Sequence, residues 1–183
     1  MKIFIMLLVA VASTALPQES APYPTPPADI TSVATLTDER EPGAPLMISG
    51  TVYRSDGTTP YPDLVLFFYQ TGASGVYNKT DNNFRNPRLR GWVRTDDRGR
   101  YAIRTIRPGS YPGGRQPAHI HVTVRTTGSR ARWLDDFLFS DDPNLSPSQR
   151  VLPETLGNFS HVLVLSKGAD GMFIGRRDIV VAD

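Results

Sequence analysis

From residue 46 onward the apolar positions come in short runs separated by turn-forming residues. Leu46-Met47-Ile48-Ser49-Gly50-Thr51-Val52-Tyr53 reads as a strand and is followed by the turn signal Asp56-Gly57. Leu64-Val65-Leu66-Phe67-Phe68-Tyr69 is an unbroken apolar run of strand length. Tyr101-Ala102-Ile103-Arg104-Thr105-Ile106 alternates with period two after a turn at Asp96-Asp97-Arg98-Gly99, and His119-Ile120-His121-Val122-Thr123-Val124 alternates cleanly. Runs at residues 161–165, 172–175 and 179–181 close the series. Strands this short, separated by turns, predict an all-β fold, an antiparallel β-sandwich with long loops. Helix signals are weak: Ser146-Pro147-Ser148-Gln149-Arg150-Val151-Leu152 suggests one short helix with a Ser cap and Pro in its first turn.

Before residue 46 the pattern is different. Lys2, an apolar run over residues 3–12 and the small residues Ser13-Thr14-Ala15 mark residues 1–15 as a secretory signal peptide. The run is too short to span a bilayer, so the expected location is secreted or periplasmic, with no stable membrane insertion after cleavage. Residues 16–45 are rich in Pro, Ser, Thr and Ala, including Pro22-Tyr23-Pro24-Thr25-Pro26-Pro27. Such a composition tends to extended structure and reads as an arm or linker on the domain surface. Residues 46–183 then form one domain with its own core.

Charge and composition narrow the chemistry. A formal charge of +2 with scattered arginines argues against nucleic acid as a partner. With no cysteine, disulfides, thiolate metal sites and cysteine nucleophiles are excluded, which leaves His, Asp, Glu and Tyr to hold any metal. There is no Gly-x-Ser-x-Gly elbow and no Walker loop. Within a strand, His119 and His121 project to one face while Ile120, Val122 and Val124 face the other. Two such imidazoles, about 7 Å apart along the strand, can ligate one ion; two hydrogen-bonded strand histidines fit the pattern equally well. Tyr111 follows the turn Arg107-Pro108-Gly109-Ser110, just upstream of the pair, and Tyr77 ends the Gly-flanked segment Gly72-Ala73-Ser74-Gly75-Val76. A lone tyrosine beside a turn ordinarily packs its ring and hydrogen-bonds its hydroxyl. Asp96-Asp97, Asp135-Asp136 and Asp141-Asp142 read as solvated turns, and His161 as a histidine at the core edge.

Thr105-Ile106-Arg107-Pro108-Gly109-Ser110-Tyr111-Pro112 and Pro117-Ala118-His119-Ile120-His121 together closely resemble the intradiol ring-cleavage dioxygenases, of the protocatechuate 3,4-dioxygenase-like kind. The segment Tyr69-Gln70-Thr71-Gly72-Ala73-Ser74-Gly75-Val76-Tyr77 resembles the family stretch that ends in its first ligand tyrosine, and Phe139-Ser140-Asp141-Asp142-Pro143 resembles the segment after the histidine strand. The likeness covers residues 46–183. It implies an Fe(III) centre with Tyr77 and His119 as equatorial ligands, Tyr111 and His121 as axial ligands, and a hydroxide. Phenolates are hard, anionic donors, and two of them with a hydroxide balance the charge of iron(III). The activity implied is cleavage of a small aromatic diol of catechol type by O2, between its hydroxyls, to a muconate-type diacid. The diol displaces hydroxide and Tyr111, which take up its protons, so Tyr111 is catalytic as well as a ligand; the metal serves as Lewis acid and template.

Three positions differ from the family pattern. The Arg found three residues before the first histidine, which stabilises charge on the activated ring, is Gln116 here, and Arg115 stands one place earlier; both are candidates for that catalytic role. The Gln that partners that Arg is Asp136, and the Trp two residues after the axial tyrosine is Gly113. Gly113, Gln116 and Asp136 are therefore expected to line the substrate pocket, where an acidic Asp136 disfavours an anionic diol such as protocatechuate. A reading from another class is a non-catalytic sandwich module that binds iron or an aromatic ligand. A third is a metal-free sandwich in which the four residues are structural. The oligomeric state is left open, a homo-oligomer included.

Overall fold

In the computed structural model, which describes residues 24–182 apart from 39, 79–82 and 127–128, every predicted run contains a strand. The signal segment expected at residues 1–15, and the beginning of the arm at 16–23, lie outside the described residues. In chain order the first strands are β1 Val33–Thr35, β2 Pro45–Tyr53, β3 Val65–Gln70, β4 Leu89–Arg94, β5 Arg100–Ile106 and β6 Ile120–Val124. There follow β7 Arg132–Trp133, β8 Leu138–Phe139, the helices α1 Pro147–Arg150 and α2 Leu152–Leu156, and a single 3-10 turn at Gly157–Phe159. Strands β9 Val162–Leu163, β10 Ser166–Lys167, β11 Phe173–Arg176 and β12 Ile179–Val180 complete the chain. No helix among the described residues is long and apolar enough to cross a membrane. The predicted helix start is present as a capping box: Ser146 Oγ accepts from the Gln149 amide, and Gln149 Oε1 accepts from the Ser146 amide.

The fold is all-β, with open sheets. One sheet runs β4-β3-β6-β7 and is antiparallel throughout; a second runs β1-β5-β2-β11-β10, with β12 also paired to β2; β8 and β9 form a third, two-stranded sheet. The expectation of uniformly antiparallel pairing needs correction here. β1 pairs with β5, β8 with β9, and β11 and β12 with β2, all in parallel. Short turns force antiparallel neighbours only between strands that follow one another; β11 reaches β2 after a long excursion, so its direction is free of that constraint.

Side chains from the two larger sheets share one core. Ile48 and Val52 of β2 and Ile103 of β5 cluster with Leu66 and Phe68 of β3 and with Ile120, Val122 and Val124 of β6. Each such side chain, fully buried, stabilises the fold by about 1.5–3 kcal/mol relative to exposure. Committing Ile120, Val122 and Val124 to the core turns His121 to the outer face, where a second cluster of Phe67, Tyr69 and Tyr77 forms with Trp92 and Tyr111 packed against it. β3 is buried on both faces, which is why its sequence is unbroken rather than alternating.

β4 escaped the pattern reading. Leu89, Gly91 and Val93 face inward, but Gly91 blanks the middle apolar position. The Leu36 side chain fills that space, 3.4 Å from where a Cβ would stand. Leu36 belongs to the stretch read as an arm. From Pro24 onward that stretch lies along the domain: β1 extends a sheet edge, Leu36 enters the core, and the Pro24 carbonyl accepts from Trp92 Nε1 at 3.3 Å.

Candidate metal centre

Two loops carry the tyrosines, and one buried side chain ties them together. Gln70, at the end of β3, is fully buried. Its Nε2 donates to the carbonyls of Ile106 (2.9 Å) and Thr71 (3.2 Å), and its Oε1 accepts from Thr105 Oγ1 (2.9 Å). Thr71 Oγ1 then donates to the Gly109 carbonyl, and the Gly109 amide to the Gly72 carbonyl. Gly75 turns the chain with φ +79, and a Cβ there would stand 1.9 Å from the Ser110 carbonyl oxygen. Glycine is thus required where the loop bearing Tyr77 touches the loop bearing Tyr111.

These contacts, together with strand β6, bring four donor atoms to one point. Tyr77 Oη is hydrogen-bonded to Tyr111 Oη and lies 2.8 Å from His121 Nε2. Tyr111 Oη is 3.3 Å from His121 Nε2 and 3.2 Å from His119 Nε2, and the two histidine Nε2 atoms are 3.1 Å apart. The far edge of each ring is occupied. His119 Nδ1 donates to the Pro117 carbonyl at 2.7 Å, and His121 Nδ1 to Asp136 Oδ1 at 2.8 Å. With the ring proton held on Nδ1, each Nε2 presents a lone pair, so the 3.1 Å contact between them has no proton to share. A cation among the four atoms satisfies every lone pair at once, and this is the sense in which the donor set fits a metal.

The electrostatics agree. Burial, ahead of the like charge on His121, lowers the His119 pKa and keeps that ring neutral. Burial, reinforced by the bond to Tyr111, raises the Tyr77 pKa, and burial raises that of Tyr111. Both phenols therefore stay protonated until a cation drives them to ionise. His119, His121 and Asp136 also offer ligand atoms within 4.8 Å of one another. Asp136, however, is bonded to the ring edge opposite Nε2 and braces His121 from behind rather than joining the four donors. Asp136→Asn is expected to weaken metal retention about 10–100-fold without loss of fold, measured by competition with a chelator. Unchanged retention would show that the brace is dispensable.

Residues 20–152 match a family model described as dioxygenase. The chain belongs to the intradiol ring-cleavage dioxygenase family. It is 27% identical over 179 residues to a chlorocatechol 1,2-dioxygenase of Pseudomonas putida, a match covering 83% of this chain and 66% of that protein. It is 31% identical over 114 residues to the protocatechuate 3,4-dioxygenase beta chain of Burkholderia cepacia, covering 57% and 48%. The chain thus spans about half to two thirds of the length of these curated relatives. Among solved structures, the dioxygenase domain of a dioxygenase carbohydrate-binding fusion from Streptomyces sp. SirexAA-E superposes with a TM-score of 0.64 at 27% identity, covering 90% of this chain and 96% of that domain.

Two cavities flank the four donors of this intradiol dioxygenase family member, and Tyr111 and His121 line both. The first, about 480 Å³, is polar: Gln116, Gln149, Asp135, Asp136 and His161 contribute to it. Of the expected pocket residues, Gln116 and Asp136 are there. Gly113 and Arg115 are not among its lining residues: both are exposed, and nothing lies within 4 Å of a Cβ placed at Gly113. Gln116 is exposed like Arg115, but of the two only Gln116 lines the cavity. His161, read as a core-edge residue, lines the cavity with its Nδ1 4.0 Å from the Asp135 carboxylate.

Two acidic residues read as solvated are structural supports. Asp142 is buried and accepts from the Ala118 amide at 2.8 Å, just before His119; Asp136 holds His121. Their position next to turns gave no sign of this, although Asp142 lies in the segment that carries the family likeness.

Proposed function

We propose that the chain is an exported non-haem iron(III) intradiol dioxygenase, a β-sandwich that cleaves catechol-type diols with O2 to muconate-type diacids. The observation that carries the reading is the convergence of two phenol oxygens and two Nε2 lone pairs, all four within 3.3 Å contacts, with both Nδ1 protons held elsewhere. Iron(III) bound there would supply Lewis-acid activation of a chelated diol toward O2. Two phenolates favour that ion over the iron(II) served by two histidines and one carboxylate. The export half of the reading is supported by Lys2 and the apolar run that follows it.

The protein's own groups have separable tasks. Tyr77, His119 and His121 hold fixed positions: Tyr77 is buried, His119 is tied to Pro117, and His121 is held between Asp136 and the face of Tyr69 at 4.6 Å. Tyr111 is different, because it sits on a loop and is only partly buried. Burial raises the pKa of its Oη, so of the four donors Tyr111 is the one that would take up a proton from an incoming diol hydroxyl if a bound metal exchanged it for the diol. Gln116 and Gln149 offer neutral amides to the ring oxygens from the polar cavity. With no guanidinium at position 116, turnover is expected to fall roughly 10²-fold below that of a protein with a positioned charge there.

The test is a visible absorption spectrum with metal analysis, before and after anaerobic addition of catechol. The expected protein is coloured by tyrosinate-to-iron charge transfer, its band shifts with catechol, and the colour change reverses as O2 is consumed on admitting air. The mass of the exported protein is expected to begin at Leu16. Colour without O2 consumption on any diol would favour the second reading, an iron- or aromatic-binding module. A protein colourless after iron reconstitution would overturn the four-ligand assignment.

A further inference from the structure

The second cavity beside the centre, about 370 Å³, is lined by Tyr69, Tyr77, Phe84, Tyr111, His121 and Trp133. Three features of it are unexplained by metal binding. First, Tyr69 is fully buried and its hydroxyl has no hydrogen-bond partner among the described residues. The other buried phenols are satisfied: Tyr101 donates to the Arg177 carbonyl at 2.8 Å, and Tyr77 is bonded within the centre. Buried tyrosine hydroxyls ordinarily find partners, so the Tyr69 hydroxyl, closed to solvent behind the cavity wall, is a hydrogen-bond donor left unspent. Second, Trp133 and Phe84 remain 41% and 40% exposed although both border the cavity. Large aromatic faces left open beside a cavity are stacking surfaces. Third, the size is generous: about 150 Å³ suffices for a benzene ring, so this space takes a ring together with its linkage.

We propose that this cavity is a subsite for a second ring of the diol substrate, an aryl group bearing an oxygen that accepts a hydrogen bond from Tyr69. The inference rests on the functional reading above and names its substrate class: catechols carrying an aryl substituent, rather than catechol itself. The connection is structural. Tyr111 and His121 line both cavities, so a diol that takes the place of the Tyr111 ring at the centre opens one space into the other. Trp133 is held near His121 (ring centroids 5.5 Å apart, edge-on) and Tyr69 (6.0 Å), which places its ring next to the metal donors. The aryl group stacks on Trp133 and Phe84, and its oxygen meets the Tyr69 hydroxyl.

The test compares iron-loaded protein acting on catechol, a phenyl-substituted catechol and the hydroxyphenyl analogue, read as ratios of kcat/KM from O2 uptake. The phenyl compound is expected to exceed catechol by about tenfold or more, as burial of one ring implies, and the hydroxyphenyl compound to exceed the phenyl one. Trp133→Ala should bring the phenyl-to-catechol ratio down toward one. Tyr69→Phe, which preserves the ring stacked on His121, should bring the hydroxyphenyl-to-phenyl ratio down toward one. A phenyl compound no better than catechol in the unaltered protein, or a ratio untouched by Trp133→Ala, overturns the subsite. If no diol consumes O2, the dioxygenase reading fails instead. The subsite is then decided by calorimetric titration with dihydroxybiphenyl lacking a catechol pair: binding that Trp133→Ala removes sustains it, and absence of binding overturns it.

Discussion

Tyr77→Phe is expected to weaken and shift the iron charge-transfer band, leaving only Tyr111 to give it, and to lower turnover by about 10³-fold or more, while leaving the fold in place. The ring is retained, so its packing on Tyr69 and Tyr111 (centroids 6.0 and 5.8 Å away) is kept. What disappears is one oxygen at the middle of the donor set, bonded to both Tyr111 and His121. In the metal-free protein the loss is small, about 1 kcal/mol, because Tyr111 and His121 already lie within 3.3 Å and can pair with each other. With iron(III) the loss is large, since one of two anions that neutralise the ion in a buried site is gone. Iron content, the visible spectrum, O2 uptake and a thermal melt measured on one preparation separate the two effects. A variant that melts normally and still binds coloured iron with full turnover would remove Tyr77 from the centre.

The second large effect concerns stability. Gln70→Leu is expected to destabilise the protein by about 3 kcal/mol, lowering the melting temperature by roughly 10 °C. Leu fits the volume but leaves the Ile106 carbonyl and the Thr105 hydroxyl without the partner that Gln70 provides in a fully buried setting. An unsatisfied buried polar group costs about 1–3 kcal/mol, which makes this a large fraction of a domain's marginal stability. The same bonds tie the end of β3 to the end of β5, from which the two tyrosine loops depart. The folded fraction should therefore also retain iron less tightly. A melting temperature within about 2 °C of the unaltered protein would show that the network is replaceable by solvent.

Much of this architecture is legible along the chain because it follows from local geometry. Side chains alternate across a strand, so Ile120, Val122 and Val124 in the core dictate that His121 faces away from it. The same rule gave the bounds of β2, β3 and β5 to within about one residue. Ser146, Pro147 and Gln149 specify a helix start through bonds that span three residues. The four donor residues could be named from a resemblance carried by short motifs, and the structure brings all four together.

Where the reading stopped, the deciding contacts are distant in sequence. Asp136 is 15 residues from the His121 it braces, and Gln70 is 36 from the Ile106 carbonyl it holds. Nothing near either residue announces its partner. Gly91 interrupts the apolar alternation of β4 and only packing brings Leu36 in to fill its space, and the parallel strands β11 and β12 depend on which edge of β2 is left unpaired by β5. Tyr69 read as the end of an apolar run and the start of the stretch leading to Tyr77; its place beside His121 arises from the cross-strand register of β3 and β6. The chain by itself determined strand faces, turns and the kinds of donor available, because those depend on neighbours a few bonds away. The bracing of the donors, the two cavities and the mixed sheet were decided only by tertiary packing, because each depends on side chains that folding alone brings within a few ångströms.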